Sequence, residues 1–491
     1  MGEVNSTIII IAVIYLLICV LIGVWATGKT KTTSDFLIAG KNLGMFVMAI
    51  AAFSSIQSGF GMLGGTGLTF SGGMGFLAGV GIAAPLGFAL TWFLVGKRMW
   101  KVGELGEIYT LGDVVERRYN SKAVRGWIGL AVTLGVIGYL GTQVQAMGII
   151  MHTIFGVTPI VGALIGLAIL GFYCVGGGIL AGVYTDLFQG VIMVVVSVFI
   201  FFMALNVGGG VQSITENLKS FDPLLASPFG TFSMVSIACW IFLFSFGAAG
   251  QPHFITKFLM VRDQKQLKWG AFTAGFAYTL STLLVIGIGL SARSLYVKGD
   301  FPELTSPDEA LTVFITHFTS PVVGGLVIAG LLAAIMSTGS SFVTLGASSL
   351  TRDIPKAFNI KVKNELLWNR IAVVGLLVIS TLFSFYMDTL VALLGVFGWG
   401  TFASAIFPAV VLGLIWKKAT KYGAVSSISV GLVLNFVLEI CAKYGVILLP
   451  PGVIIGAVAF SVSIIVFITV SLMTQQSNVE LDKELLDAME G

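Results

Sequence analysis

The chain has 491 residues, of which 56% are apolar, only 10% are charged and 62 are glycine, and its mean hydropathy is +0.99. Average chains are about 25% charged, so a water-soluble enzyme is excluded. A formal charge of +4, from 27 Lys and Arg against 23 Asp and Glu with no long basic block, also excludes a nucleic-acid binder.

A hydrocarbon core about 30 Å thick takes about 20 apolar residues to cross as a helix. Reading between the charged loops predicts an all-α polytopic membrane protein with 13 transmembrane helices, near 7–27, 44–71, 76–96, 124–152, 158–180, 186–207, 232–256, 268–292, 321–350, 367–387, 389–416, 422–442 and 446–474. The first, TIIIIAVIYLLICVLIGVWA, has no basic residue before it and no small-residue cleavage site, which reads as a retained span. With the N-terminus outside, 23 of the 27 Lys and Arg fall in inner loops, and Lys219, Arg293, Lys298 and Lys443 fall in outer ones. That asymmetry is the one expected of a plasma-membrane protein. It puts the acidic tail, 475–491, in the cytoplasm as a short amphipathic helix or an unstructured stub. The cysteines, Cys19, Cys174, Cys239 and Cys441, lie far apart in apolar runs and read as small core residues.

Two spans are interrupted. In the second, Ser54, Ser55, Gln57 and Ser58 precede Gly59, Gly61, Gly64, Gly65 and Gly67, and each glycine costs a helix about 1 kcal/mol against alanine. The seventh, FSFGAAGQPHF, brings in Gly247, Gly250 and Pro252. Any one of these glycines could serve tight helix packing. Two clusters at matching places instead point to a midplane binding site between inverted repeats. Spans two to six and seven to eleven are then the two repeats, inverted because five is odd.

Ionisable groups inside spans are costly unless paired or functional. Asp186 stands where the sixth span begins, as an N-cap, a functional carboxylate, or both. In the ninth span, Ala334, Ser337, Thr338 and Ser341 follow the i, i+3, i+4, i+7 rule and share a face, with Ser340 beside them. A lone hydroxyl in a membrane helix usually bonds back to its own backbone; four within five positions offer an oxygen-rich surface for a cation such as Na⁺. No Glu, Lys or Arg is expected deep in the core spans, Glu439 and Asp388 fall near outer helix ends, and His253 reads as a capping or interfacial residue. A proton relay is thereby disfavoured, and enzyme motifs are absent.

At these residues the chain resembles the sodium/solute symporter family, which includes proline, pantothenate, monocarboxylate and sugar symporters. The likeness runs in order over roughly residues 7–440: DFLIAGKNLG, Ser58-Gly59, TLGDVVERRY, GGGILAGVYTD with Gln189, GQPH and AAIMST. It implies a LeuT-like core of five plus five helices. The expected units are an extra helix and first loop at 1–43, repeats at 44–207 and 208–416, two peripheral helices at 417–474, and the tail. It further implies a Na⁺ site built from the carbonyls of Ser54, Gln57 and Ala334 and the hydroxyls of Ser337 and Thr338, with a register three residues earlier, at Ala51 and Ser54, as the alternative. Asp186 with Ser337, Ser340 and Ser341 matches a second Na⁺ site of some relatives or an exit path. The expected solute is neutral, zwitterionic or singly anionic, and touches Gln57, Ser58, Tyr139, Gln143, Phe244 and Gln251. An aromatic pair expected in the seventh span is Phe244 and Ala248 here. The expected function is Na⁺-coupled import of a small organic solute, an amino acid or a monocarboxylate, by a monomer in the bacterial inner membrane. The alternatives are proton coupling on the same fold, or a solute sensor or channel.

Overall fold

The computed structural model describes residues 5–387, 391–446, 449–477 and 481–490. Asp388 and the first residues expected in the spans from 389 and 446 include positions outside that set. The described chain is helical, and its β-pairing is one isolated bridge between Leu43 and Val261. Among the described residues, ten helices are long and apolar enough to cross a membrane, and the pair Met45–Ile56 and Phe60–Gly72, bent by 58°, makes an eleventh if it is one span.

The thirteen stretches expected from the sequence are thus not thirteen separate helices, for two reasons. The stretches at 158–180 and 186–207 run together as one helix of 49 residues, Pro159–Val207, kinked at Gly178. There φ is 55° and ψ is −143°, a backbone state that only glycine adopts cheaply. A Cβ at Gly178 would also stand 2.5 Å from Phe36 Cδ2. Gly178→Ala is therefore expected to lower the melting temperature of the purified protein, through strain of about 1–3 kcal/mol plus the displaced Phe36 ring. An unaltered melt would contradict this conformation. The seventh stretch, 232–256, is divided into Met234–Ser245, a tight turn at Gly247–Gly250 and a short helix Pro252–Ile255.

The kink at Gly178 also corrects the reading of Asp186 as an N-cap. The helix resumes at the glycine, so Asp186 is already in its interior and fully buried.

The middle of the bundle is the helix Pro321–Ser348, buried on every face from Val327 to Ser348. It packs against Ser6–Lys29, Lys122–Phe155 and Pro159–Val207. All-round burial suits its small residues, because Gly, Ala, Ser and Thr let membrane helices approach closely. Glu365–Met387, Lys421–Lys443 and Ile455–Met473 lie outside, with Leu382, Val433 and Ile465 facing outward.

One end of the bundle is sealed by charge. Thr110 caps Leu111–Tyr119, and Asp113 bonds back to the cap in a reciprocal box. Burial pushes the Asp113 carboxyl up, but Arg125 and Arg352 outweigh it and hold the group below the ordinary carboxylate range. Arg352 Nε donates to Asp113 Oδ2 at 3.0 Å, and Arg125 also reaches Asp353, at 3.1 Å. Thr110 Oγ1 donates to Asp353 Oδ1 at 2.6 Å. Such a buried cluster is tolerable because each charge meets its opposite. The tail is a helix, not a stub: Lys483–Glu490 folds back with Leu485, Ala488 and Met489 buried. Arg98 Nε donates to the Met489 carbonyl at 2.8 Å, and Arg117 pairs with Asp482 at 2.7 Å.

Candidate functional site

Both interrupted spans break at a glutamine. Met45–Ile56 ends on Gln57, with φ −72° and ψ 111°, and the turn after Met234–Ser245 ends on Gln251, with φ −80° and ψ 112°. Extended backbone at these two positions withdraws carbonyls and N–H groups from the helical ladder, deep in the protein where both residues are buried. The freed groups must find partners nearby.

The carbonyls of the first break meet the hydroxyls of Pro321–Ser348. Ser337 Oγ donates to the Ser54 carbonyl at 2.8 Å and to the Ala334 carbonyl at 3.2 Å. Thr338 Oγ1 donates to the carbonyls of Ser55 at 3.0 Å and Gln57 at 3.1 Å. Ser54, Gln57, Ala334, Ser337 and Thr338 are thus drawn together, and Ser55 joins them. The set is wholly neutral oxygen. A hard monovalent cation entering here would meet both hydroxyl lone pairs and the carbonyls, without a net charge being stranded when it leaves.

Ser340 and Ser341 diverge. Ser340 Oγ donates back to the Ser337 carbonyl at 2.9 Å, whereas Ser341 Oγ donates to Asp186 Oδ2 at 3.4 Å. The Asp186 carboxylate also receives Lys257 Nζ at 3.0 Å, and both side chains are at most 4% exposed. This corrects two expectations. Lys257 is not a loop cation but a buried one, because Pro252–Ile255 carries it inward. His253, on the same short helix, is buried with its ring 4.3 Å from that of Phe342 and both nitrogens unpartnered; it is not interfacial.

On the other side of the break, Ser58 Oγ lies 3.2 Å from Tyr139 OH, and Gln143 Oε1 accepts from Gly59 N at 3.1 Å. At the start of Phe60–Gly72, Gln143 thus satisfies the N–H of the capping Gly59, and Ser58 Oγ accepts from Gly61 N at 3.4 Å. Phe244 stacks on Phe60, with centroids 5.6 Å apart and planes 10° apart, and packs on Trp399 at 4.8 Å. Gln251 Nε2 donates to the carbonyls of Gly247 and Trp399. All six residues expected at the solute are buried in two linked groups, Gln57, Ser58, Tyr139 and Gln143 on one side and Phe244 and Gln251 on the other. Phe60 connects them along the chain. Gln57 Oε1, Gln143 Nε2 and Gln251 Oε1 have no hydrogen-bond partner. Buried amide groups left unpaired are expensive, and they are where a polar ligand would bind most profitably.

The model of the sodium:solute symporter family matches residues 36–431. The chain belongs to that family. The symporter is 28% identical to the osmoregulated proline transporter OpuE of Bacillus subtilis, over 91% of its own length and 92% of the relative's. It is 29% identical to a sodium/proline symporter of Staphylococcus aureus, over 98% and 95%. Among solved structures it resembles a Na⁺-coupled sialic acid symporter in a substrate-bound, outward-open state, with a TM-score of 0.78, 18% identity, and 98% and 100% of the two chains covered. It also resembles Mhp1, a nucleobase-cation-symport-1 family transporter, with a TM-score of 0.56, 13% identity, and 94% and 99% covered. The fold is that of the LeuT-like transporters, and the protein is a multi-pass membrane carrier coupling a solute to Na⁺, not an enzyme.

Three residues packed at this candidate site carry no sign of it in the sequence. Trp399 lies in an apolar run, and a Cβ at Gly247, in the turn of the seventh span, would stand 3.2 Å from its Nε1. It supplies the second aromatic against Phe244 where Ala248 cannot. Phe60 was masked by the glycines around it. Lys257 was counted with the loop charges, because a side chain one turn beyond a short helix gives no sign of which way it turns.

Proposed function

We propose that the symporter imports a zwitterionic amino acid or a monocarboxylate by alternating access, with Na⁺ held by the Ser54, Gln57 and Ala334 carbonyls and the Ser337 and Thr338 hydroxyls. The observation that carries this reading is the double hydroxyl bridge from Ser337 and Thr338 to the broken second span. Sodium bound by the hydroxyl and carbonyl oxygens, with the O–H bonds turned aside, ties the break to the central helix. That orders Gln57 and Ser58 for solute, a coupling of about 1–3 kcal/mol.

The solute lies among Gln57, Ser58, Tyr139, Gln143, Phe244 and Gln251, where no side chain is charged. This set favours a solute with no net charge or a single carboxylate. The carboxylate would displace the neutral acceptors from the first N–H groups of Phe60–Gly72, the positive end of that half-helix. Proline, the solute in the names of the two relatives, is the first to test. Lys257 already meets Asp186, which favours an exit path through Asp186, Ser340 and Ser341 over a second Na⁺ position.

The membrane reading keeps thirteen crossings, with repeats at 44–207 and 208–416 and the N-terminus outside. A straight helix of the length of Pro159–Val207 would run about 74 Å at 1.5 Å per residue, more than twice the hydrocarbon thickness of about 30 Å. It therefore crosses twice, reversing at Gly178. Met234–Ile255 makes one broken crossing, and one copy of the chain suffices for transport.

The test is uptake into proteoliposomes of a panel of amino acids, monocarboxylates and sugars, with an inward Na⁺ gradient present or absent. Accumulation of an amino acid or a monocarboxylate only with the Na⁺ gradient is expected. Accumulation that ignores Na⁺ and follows a pH gradient, or of sugars alone, would overturn the reading.

A further inference from the structure

A groove of about 870 Å³ opens sideways on the bundle, between Ser6–Lys29, the first half of Pro159–Val207 and Glu365–Met387. It exists because Ala168, Gly171 and Gly176 leave its floor low. A Cβ at Gly176 would stand 2.3 Å from Thr27 Oγ1, so the first helix could not come as close. Its walls are apolar, and Phe172, Val378 and Leu382 along it are more than half exposed. The three polar side chains lining it are Thr27, Thr381 and Arg370. The two threonine hydroxyls are spent, bonded back to the carbonyls of Gly23 at 2.8 Å and Leu377 at 2.7 Å.

Arg370 is different. It stands in the second turn of Glu365–Met387, makes no ion pair or hydrogen bond among the described residues, and its Nε is buried without a partner. A guanidinium keeps its charge at any accessible pH, and at the edge of hydrocarbon it is stabilised by an anion, by backbone oxygens or by reaching the interface. Two residues after Thr27, the first helix ends on Lys29, with Lys31 following and Asp35 Oδ2 accepting from the Lys31 N–H, and Arg370 is the one charged side chain lining the groove among the described residues. The other walls offer an anion no competing carboxylate. A ligand that fits both halves has apolar chains to fill the groove and one phosphate at its end.

We infer that this groove is a binding site for an anionic phospholipid, with the phosphate on Arg370 and an acyl chain along Ala168, Gly171 and Leu377. Basic pockets between membrane helices recognise such headgroups. The lipid seals the seam between the first helix and Glu365–Met387.

Native mass spectrometry of the full-length protein in micelles holding equal phosphatidylglycerol and phosphatidylcholine tests this, and it reads lipid mass independently of any transport. The wild type is expected to retain phosphatidylglycerol over phosphatidylcholine, and Arg370→Gln to lose that preference by about fivefold or more. Ala168→Trp, which fills the groove but keeps Arg370, is expected to lower retention of both lipids. Equal retention by the wild type, a preference unchanged in Arg370→Gln, or undiminished retention in Ala168→Trp would each overturn the assignment.

Discussion

Ser337→Ala and Thr338→Ala are each expected to raise the Na⁺ concentration for half-maximal uptake by about tenfold or more, some 1.4 kcal/mol of ion binding. Each removes a hydroxyl that reaches across to the broken second span: Ser337 to the Ser54 carbonyl, Thr338 to those of Ser55 and Gln57. The loss falls on two interactions at once. In the proposed site one cation ligand disappears, and the buried carbonyls it bridged lose a donor. Thr338→Ser keeps the hydroxyl and is expected to stay near the wild type. Solute affinity at saturating Na⁺ should change far less than the Na⁺ dependence, because neither side chain belongs to the solute group around Tyr139 and Gln143. Measuring initial uptake against Na⁺ at fixed solute separates the two. An unchanged Na⁺ dependence in both alanine variants would reject the site.

The second large effect is expected at Asp186. Its carboxylate is the counter-charge of Lys257, at 3.0 Å and with both side chains at most 4% exposed. Removing one partner of such a pair strands the other, at a cost of about 3–5 kcal/mol. Asp186→Asn is thus expected to lower the melting temperature and to slow turnover by about tenfold or more, with a smaller change in solute affinity. Asp186→Asn combined with Lys257→Gln removes both charges together, so it should recover most of the lost stability while turnover stays low. That outcome separates the exit-path role from a merely structural one. Wild-type turnover in Asp186→Asn, or full recovery of turnover in the double variant, would contradict an exit path through this pair.

These two sites differ in how far the amino-acid sequence reveals them. The stripe Ala334, Ser337, Thr338 and Ser341 is legible because helical spacing alone puts its members on one face, and membrane helices rarely carry that much oxygen. The break at Gln57 is legible because glycines crowd it. Lys257 was not, because a cation near the end of a span is ordinarily solvated. Its inward turn depends on the short helix Pro252–Ile255 and on a carboxylate 71 residues away in the chain. Pro159–Val207 is hard to read for a related reason: helix continues through the place where a loop is expected, and the kink falls on the backbone of a single glycine, Gly178. Trp399 was invisible because an aromatic ring in an apolar run looks the same whether it faces core, lipid or solute. Local pattern thus reveals which groups a helix offers; which of them meet is decided by packing between helices distant in sequence.

The most direct test is equilibrium retention of ²²Na⁺ by the purified protein, with and without solute. Saturable retention that tightens with the solute identified by uptake, and that weakens about tenfold or more in Ser337→Ala and Thr338→Ala, is the predicted result. Saturable retention of equal strength in the wild type and both variants would contradict the site, and no saturable retention under any solute condition would contradict the account as a whole.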